Sequence, residues 1–138
     1  MSRILGIDYG IKRMGIALSD SLGWTAQGLF SYERKGERRD MDFIAGLVEE
    51  YDVNQIVIGM PRNMNGSYGP AALKVQEFVA VLKDAVTIPL KTLDERLTTV
   101  QAQRFLIQGN VRRDQRKEKV DKTAAALLLQ SYLDNLAN

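Results

Sequence analysis

The chain has 138 residues, with 19 Lys and Arg against 17 Asp and Glu and neither cysteine nor histidine; that length predicts one domain over 1–138 with a single sizeable core. The missing residue types exclude disulfides, thiolate metal sites, ordinary structural zinc, a cysteine nucleophile and a Ser-His-Asp triad, which leaves carboxylates with a hard cation such as Mg²⁺ or Mn²⁺ as the leading means of polar chemistry. The net charge of +2 is uneven, because residues 104–122 hold seven Lys and Arg against three acids and the rest of the chain is −2, an asymmetry that favours an anionic partner along one edge.

Arg3 to Asp8 is a short, nearly continuous apolar run, the pattern of a strand buried on both faces, and it ends in the turn sequence GIDYG. Met14 to Asp20 and Thr25 to Tyr32 follow at hairpin spacing, so the first three strands form an antiparallel meander. Asp20 reads as a turn residue, and Trp24 at a strand start reads as core or edge packing. Between Glu37 and Asp52 the period becomes helical, with Met41, Ile44, Val48 and Tyr51 on one face. Gln55 to Gly59 is the second central strand, reached by that crossover helix.

Pro61 to Pro70 is a loop rich in Gly, Asn and Pro, and Pro70 suits the first turn of a helix whose buried stripe is Ala71, Val75, Phe78, Val79 and Leu82. Ile88 to Leu93 is the fifth strand, and its Pro89 argues for an edge or a strand start. Thr98 or Thr99 can cap a helix running to Gln108, with Gly109 as its stop. Asn110 to Lys119 is half Arg and Lys and reads as a mobile loop; Val120 to Leu136 is the closing helix, with Asp121 in its first turn. The order β-β-β-α-β-α-β-α-α predicts an α/β sandwich on a five-stranded mixed sheet, antiparallel in strands 1–3 and parallel after them, with helices on both faces. No run approaches the roughly 20 apolar residues of a membrane span, and the N-terminus lacks the sections of a signal peptide, so a cytoplasmic protein without membrane contact is expected.

Three acids share a kind of context: Asp8 at the end of strand 1, Glu95 just past strand 5 and Asp121 at the final helix. A right-handed crossover places the fourth strand beside the first. If strand 5 joins next in line, Glu95 can face Asp8 while the last helix brings Asp121 over the same edge. Carboxylates crowded in this way repel one another unless a cation sits among them. Plainer readings stand beside this one: Asp8 as a turn former, Glu95 paired with Arg96 or Arg104, and Asp121 complementing a helix dipole. Asp94 is the rival of Glu95, since alternation puts only one of them on a given face.

Asp at the end of strand 1 of such an order resembles the ribonuclease H-like pattern. More closely, the blocks GIDYGIKRMGIALSD, VIGMPRNMNG, TLDERLTT and VDKTAAALLLQSYL resemble the YqgF/RuvX family of bacterial proteins, which are similar to RuvC-type Holliday junction resolvases. The resemblance spans nearly the whole chain. It implies a nuclease maturing the 5′ end of the small-subunit ribosomal RNA precursor, or alternatively a junction resolvase, with Asp8, Glu95 and Asp121 as catalytic, metal-holding acids. Two Mg²⁺ or Mn²⁺ ions are expected, with Asp8 bridging them. In the wider RuvC-type site the last helix can offer two acids a turn apart, whereas here the position three after Asp121 is Ala124, so the second ion is expected to lean on the substrate phosphate.

The partner expected is nucleic acid, as structured RNA precursor or branched DNA, with the ribosome as a further partner. Lys12, Arg13, Arg62, Asn63, Arg96, Arg112, Arg113, Arg116 and Lys117 are the candidate contacts, and Tyr68 can stack on an unpaired base. Junction cutting predicts a homodimer with two-fold symmetry, whereas RNA end maturation is served by a monomer. Two rivals of another class remain: a non-catalytic RNA-binding assembly factor, and a nucleotide-clasping ATPase, for which the chain has length for only one of the two lobes.

Overall fold

A computed structural model describes residues 2–63, 65–95 and 116–137. Its strands are β1 (Arg3–Asp8), β2 (Arg13–Ser19), β3 (Ala26–Glu33), β4 (Val53–Met60) and β5 (Leu90–Asp94), and its helices are α1 (Glu37–Glu50), α2 (Pro70–Ala85) and α3 (Arg116–Ala137). They form one mixed sheet in the order β3-β2-β1-β4-β5, antiparallel between β1, β2 and β3 and parallel between β1, β4 and β5. The expected topology is therefore the observed one, with each strand within two residues of its predicted limits.

The two faces of the sheet differ in side-chain size, and that difference decides what packs on each. On one face Leu5, Ile7, Met14, Ile16, Ile56 and Ile58 meet Met41, Ile44 and Leu47 of α1 and Val75, Phe78 and Leu82 of α2 in the main core. The other face is nearly bare over β1 to β3, because Gly6, Ala17 and Gly28 stand in one cross-strand row and Asp8, Gly15 and Ser31 in the next. A Cβ at Gly6 would lie 2.9 Å from Cβ of Leu129, and one at Gly28 would lie 2.7 Å from the carbonyl oxygen of Lys122. Only a floor of such small residues lets α3 lie this close, packing Ala125, Leu129 and Leu133 against Ala17.

Three details depart from expectation. The buried stripe of α2 starts at Ala72, while Ala71 is exposed; both positions satisfy a 3.6-residue period, and the seating of the helix chooses between them. Trp24 is 74% exposed in the β2–β3 turn rather than packed. There the Asp20 carboxylate accepts the backbone N–H of Trp24 at 2.8 Å and of Thr25 at 3.3 Å, and the bond from Trp24 above all holds its pKa below the ordinary range. Helix α3 begins at Arg116 rather than Val120, so Arg116 and Lys117 are helical and not part of a mobile loop. Arg, Lys and Glu are strong helix formers, which explains the extension, and it moves Asp121 from the first turn of the helix to the second. The expected helix from Thr98 or Thr99 to Gln108 and the remainder of the expected loop, 110–115, lie outside the described residues. Among the described residues no helix is long and apolar enough to cross a membrane.

Candidate carboxylate site

Asp8 closes β1 at its C-terminal end, on the small-residue face covered by α3, and it is 5% exposed. Both neighbours of Asp8 in the sheet are glycine. Gly15 pairs directly with it on β2, and Gly59 on β4 follows one step after the Ile7–Ile58 pair. A carboxylate flanked by two residues without side chains has open space on either side, each gap one strand spacing, about 5 Å, away.

Other groups fill the two gaps. On the β4 side, a Cβ at Gly59 would lie 2.6 Å from Oε1 of Glu95, so the Glu95 carboxylate occupies the place where any larger residue would project. On the β2 side, the backbone carbonyl of Asp121 sits against Gly15. The Asp121 carboxylate lies toward β3, where its Oδ2 accepts both the Ser31 hydroxyl and the Arg13 Nε–H at 2.8 Å. Asp8 and Glu95 thus lie on one side of the row and Asp121 on the other, and among the described residues no three acids close up around a single point.

Asp94 and Glu95 separate as alternation requires. Asp94 pairs with Met60 on the α1/α2 face and forms an ion pair with Arg62 at 3.3 Å, while Glu95 turns to the α3 face. Burial is the main cause that raises the Glu95 pKa above its ordinary value, and the neighbouring charge of Asp94 adds to it. For a carboxyl whose folded pKa is raised, the ionised form costs stability; the cost is absent below the unfolded pKa and complete above the folded one. Glu95→Gln is therefore expected to raise the melting temperature near neutral pH, with the gain shrinking as the pH falls through the raised pKa and gone in the ordinary glutamate range. Melting curves across that range, without and with Mg²⁺, check this. Added Mg²⁺ is expected to stabilise the wild type more than the variant.

The other candidates distribute as follows. Lys12 is exposed in the turn after Asp8, whereas Arg13 is engaged by Asp121. Arg62 stacks its guanidinium 4.6 Å from the Tyr68 ring centroid and donates to the Gly66 carbonyl, so it braces the 61–70 loop. Asn63 in that loop donates to Ser67 at 3.0 Å, and Tyr68 stays 52% exposed. Arg96, Arg112 and Arg113 lie outside the described residues. Sequence reading missed Ser31 as a partner of Asp121, and it missed the glycine pair around Asp8. Mid-strand glycine at 15 and 59 was the available signal, because glycine inside a strand marks close approach of another group.

A mixed sheet in this order, with an acid ending its first strand, defines the ribonuclease H-like class. The solved structures agree in fold. RuvC of Thermus thermophilus in complex with a Holliday junction substrate superposes with a TM-score of 0.62 at 15% identity, covering 98% of this chain and 96% of that one. The Fowlpox virus resolvase bound to Holliday junction DNA gives 0.54 at 14% identity, covering 99% of each. The family model of RuvX, described as Holliday junction resolvase, matches residues 2–135, and the chain belongs to that family. Among curated relatives, proteins of Desulforamulus reducens (50% identical, 96% of this chain and 97% of that one) and Thermoanaerobacter pseudethanolicus (48% identical, 99% of each) both carry the name "Putative pre-16S rRNA nuclease".

Proposed function

We propose that this chain is a one-domain, metal-dependent endonuclease that hydrolyses phosphodiester bonds in the precursor of small-subunit ribosomal RNA, acting in the cytoplasm on RNA presented by the assembling ribosome. Family membership and the names of its relatives support the reaction and the substrate. The observation that carries the site is Asp8, buried between Gly15 and Gly59 with the Glu95 carboxylate filling the second gap.

This donor set fits a hard divalent cation: the acids offer only oxygen, the chain has no softer cysteine or histidine ligand, and the Gly59 gap admits a carboxylate beside Asp8. Asp8 and Glu95 would hold one Mg²⁺ or Mn²⁺, and Asp121 would join Asp8 for a second only by turning its carboxylate away from Arg13 and Ser31. When bound, such ions activate water and stabilise the charge that develops on the leaving 3′ oxygen. The protein's own part is to place the acids and exclude bulk water from Asp8. Ser31 and Arg13 hold the Asp121 carboxylate in reserve toward β3, and Lys12 would meet the phosphate at the open end of the row.

The test is cleavage of end-labelled ribosomal RNA precursor and of a four-way DNA junction with Mg²⁺, Mn²⁺ or chelator. Metal-dependent cutting of the RNA supports the proposal. The description of the family model favours a second reading, junction resolution; cutting of the DNA alone, by a species that sediments as a dimer, would replace the first with it. No cutting of either substrate, with RNA still bound, would leave an assembly factor.

A further inference from the structure

The turn that follows Asp8 is held from the opposite face of the sheet. We infer that Arg34, clamped by the buried carboxylate of Asp40, is the positioning residue for Asp8 and Lys12; the inference rests on the nuclease reading given above.

Arg34 bonds to every residue of the turn between β1 and β2. One guanidinium nitrogen donates to the Tyr9 hydroxyl at 2.8 Å and to the carbonyls of Gly10 and Ile11 at 3.3 Å each. Its backbone N–H donates to the Lys12 carbonyl at 2.9 Å. The guanidinium also lies 4.9 Å from the Tyr9 ring centroid and 5.9 Å from that of Phe78, so it packs against both rings as well as bonding. A single residue, through its side chain for three and its backbone for the fourth, therefore spans the four residues that separate the first acid from Arg13, the partner of Asp121.

Arg34 is itself fixed. Its Nε–H donates to Oδ2 of Asp40 at 3.0 Å, and the other oxygen of that carboxylate accepts the Lys35 N–H at 2.8 Å. Asp40 is fully buried in the first turn of α1, and its own N–H donates to the carbonyl of Gly36, whose φ of 118° only glycine adopts readily. The strut thus runs from the start of α1 through Asp40 and Arg34 to the turn carbonyls, and only its far end reaches the row of acids. A half-buried, planar, five-donor cation suits this task because it meets several acceptors in fixed directions, which lysine cannot do. Gly10 lets the turn pass close to the Arg13 carbonyl, which a Cβ there would overlap.

A pocket of about 190 Å³ lined by Tyr9, Arg34 and Phe78 opens beside the guanidinium, so a small cation can reach the place it occupies. The experiment measures steady-state cutting of the RNA precursor with Mg²⁺ by wild type, Arg34→Lys, Arg34→Ala and Tyr9→Phe, together with backbone hydrogen exchange. The expected result is that Arg34→Lys keeps its circular dichroism and loses at least tenfold in kcat with KM unchanged. Amides 9–12 should exchange faster while those of β1 and β4 do not. Millimolar guanidinium should restore part of the activity of Arg34→Ala and none to the wild type. Tyr9→Phe removes one bond only and gives a smaller fall in kcat, which keeps the test open if the Arg34 variants do not fold. Unchanged kcat in a folded Arg34→Lys overturns the inference, as does loss of exchange protection throughout the core. A wild type that cuts nothing overturns the nuclease reading instead, and exchange at 9–12 then decides the strut alone.

Discussion

Gly15→Ala is expected to cost the fold about 3 kcal/mol or more, at the upper end of what overpacking does. The added methyl would overlap the backbone carbonyl oxygen of Asp121 and lie 2.6 Å from its carbonyl carbon and 3.2 Å from the Ala125 Cβ. None of those atoms is the free end of a flexible side chain. Relief requires α3 to lift from the sheet, and lifting it opens the packing of Ala125, Leu129 and Leu133 on Ala17. Urea or thermal unfolding checks the size. A variant as stable as wild type would mean that α3 does not lie against Gly15 in solution.

Gly59→Ala should do the reverse, leaving stability nearly intact while lowering cutting a hundredfold or more. Here the methyl meets Oε1, Cδ and Cγ of Glu95, at 2.6, 3.2 and 3.2 Å, which are the mobile end of a side chain that can swing aside cheaply. Swinging aside removes the carboxylate from the gap beside Asp8. Asp8→Asn sets the scale, because it deletes the charge at the centre of the row and is expected to abolish metal-dependent cutting. If Gly59→Ala cut like wild type while Asp8→Asn did not, Glu95 would have no part in the chemistry. Single-turnover assays on the folded variants distinguish these outcomes, since they separate the chemical step from binding.

The sequence showed most clearly what local pattern encodes. The continuous apolar runs ending at Asp8 and spanning Gln55 to Gly59 became the central strands β1 and β4, and the crossover rule put them side by side. Alternation at Asp94 and Glu95 separated the two acids as expected. What stayed hidden depends on contacts far apart in the chain. Ser31 and Arg13 meet Asp121 across 90 and 108 residues, respectively, and no window of sequence displays such a pairing. Nothing in the local pattern marks Arg34 and Asp40, whose significance lies in the partners they meet in the fold. The start of α3 was misplaced for a different reason: a dense run of Arg, Lys and Glu has the composition of a solvated loop and the intrinsic propensity of a helix, and propensity prevailed.

The sheet separates two unequal layers of apolar packing, and Asp121 rides on the thinner one. The α1/α2 side is filled by Leu, Ile, Met and Phe, whereas α3 rests largely on alanines and on the gaps left by glycines. A helix attached in that way can open without unfolding what lies beneath it. Detachment of α3 takes Asp121 away from Arg13 and Ser31 and uncovers Asp8, while the five described strands keep their core with α1 and α2. On heating, the working lifetime of this enzyme should therefore be shorter than the lifetime of its fold.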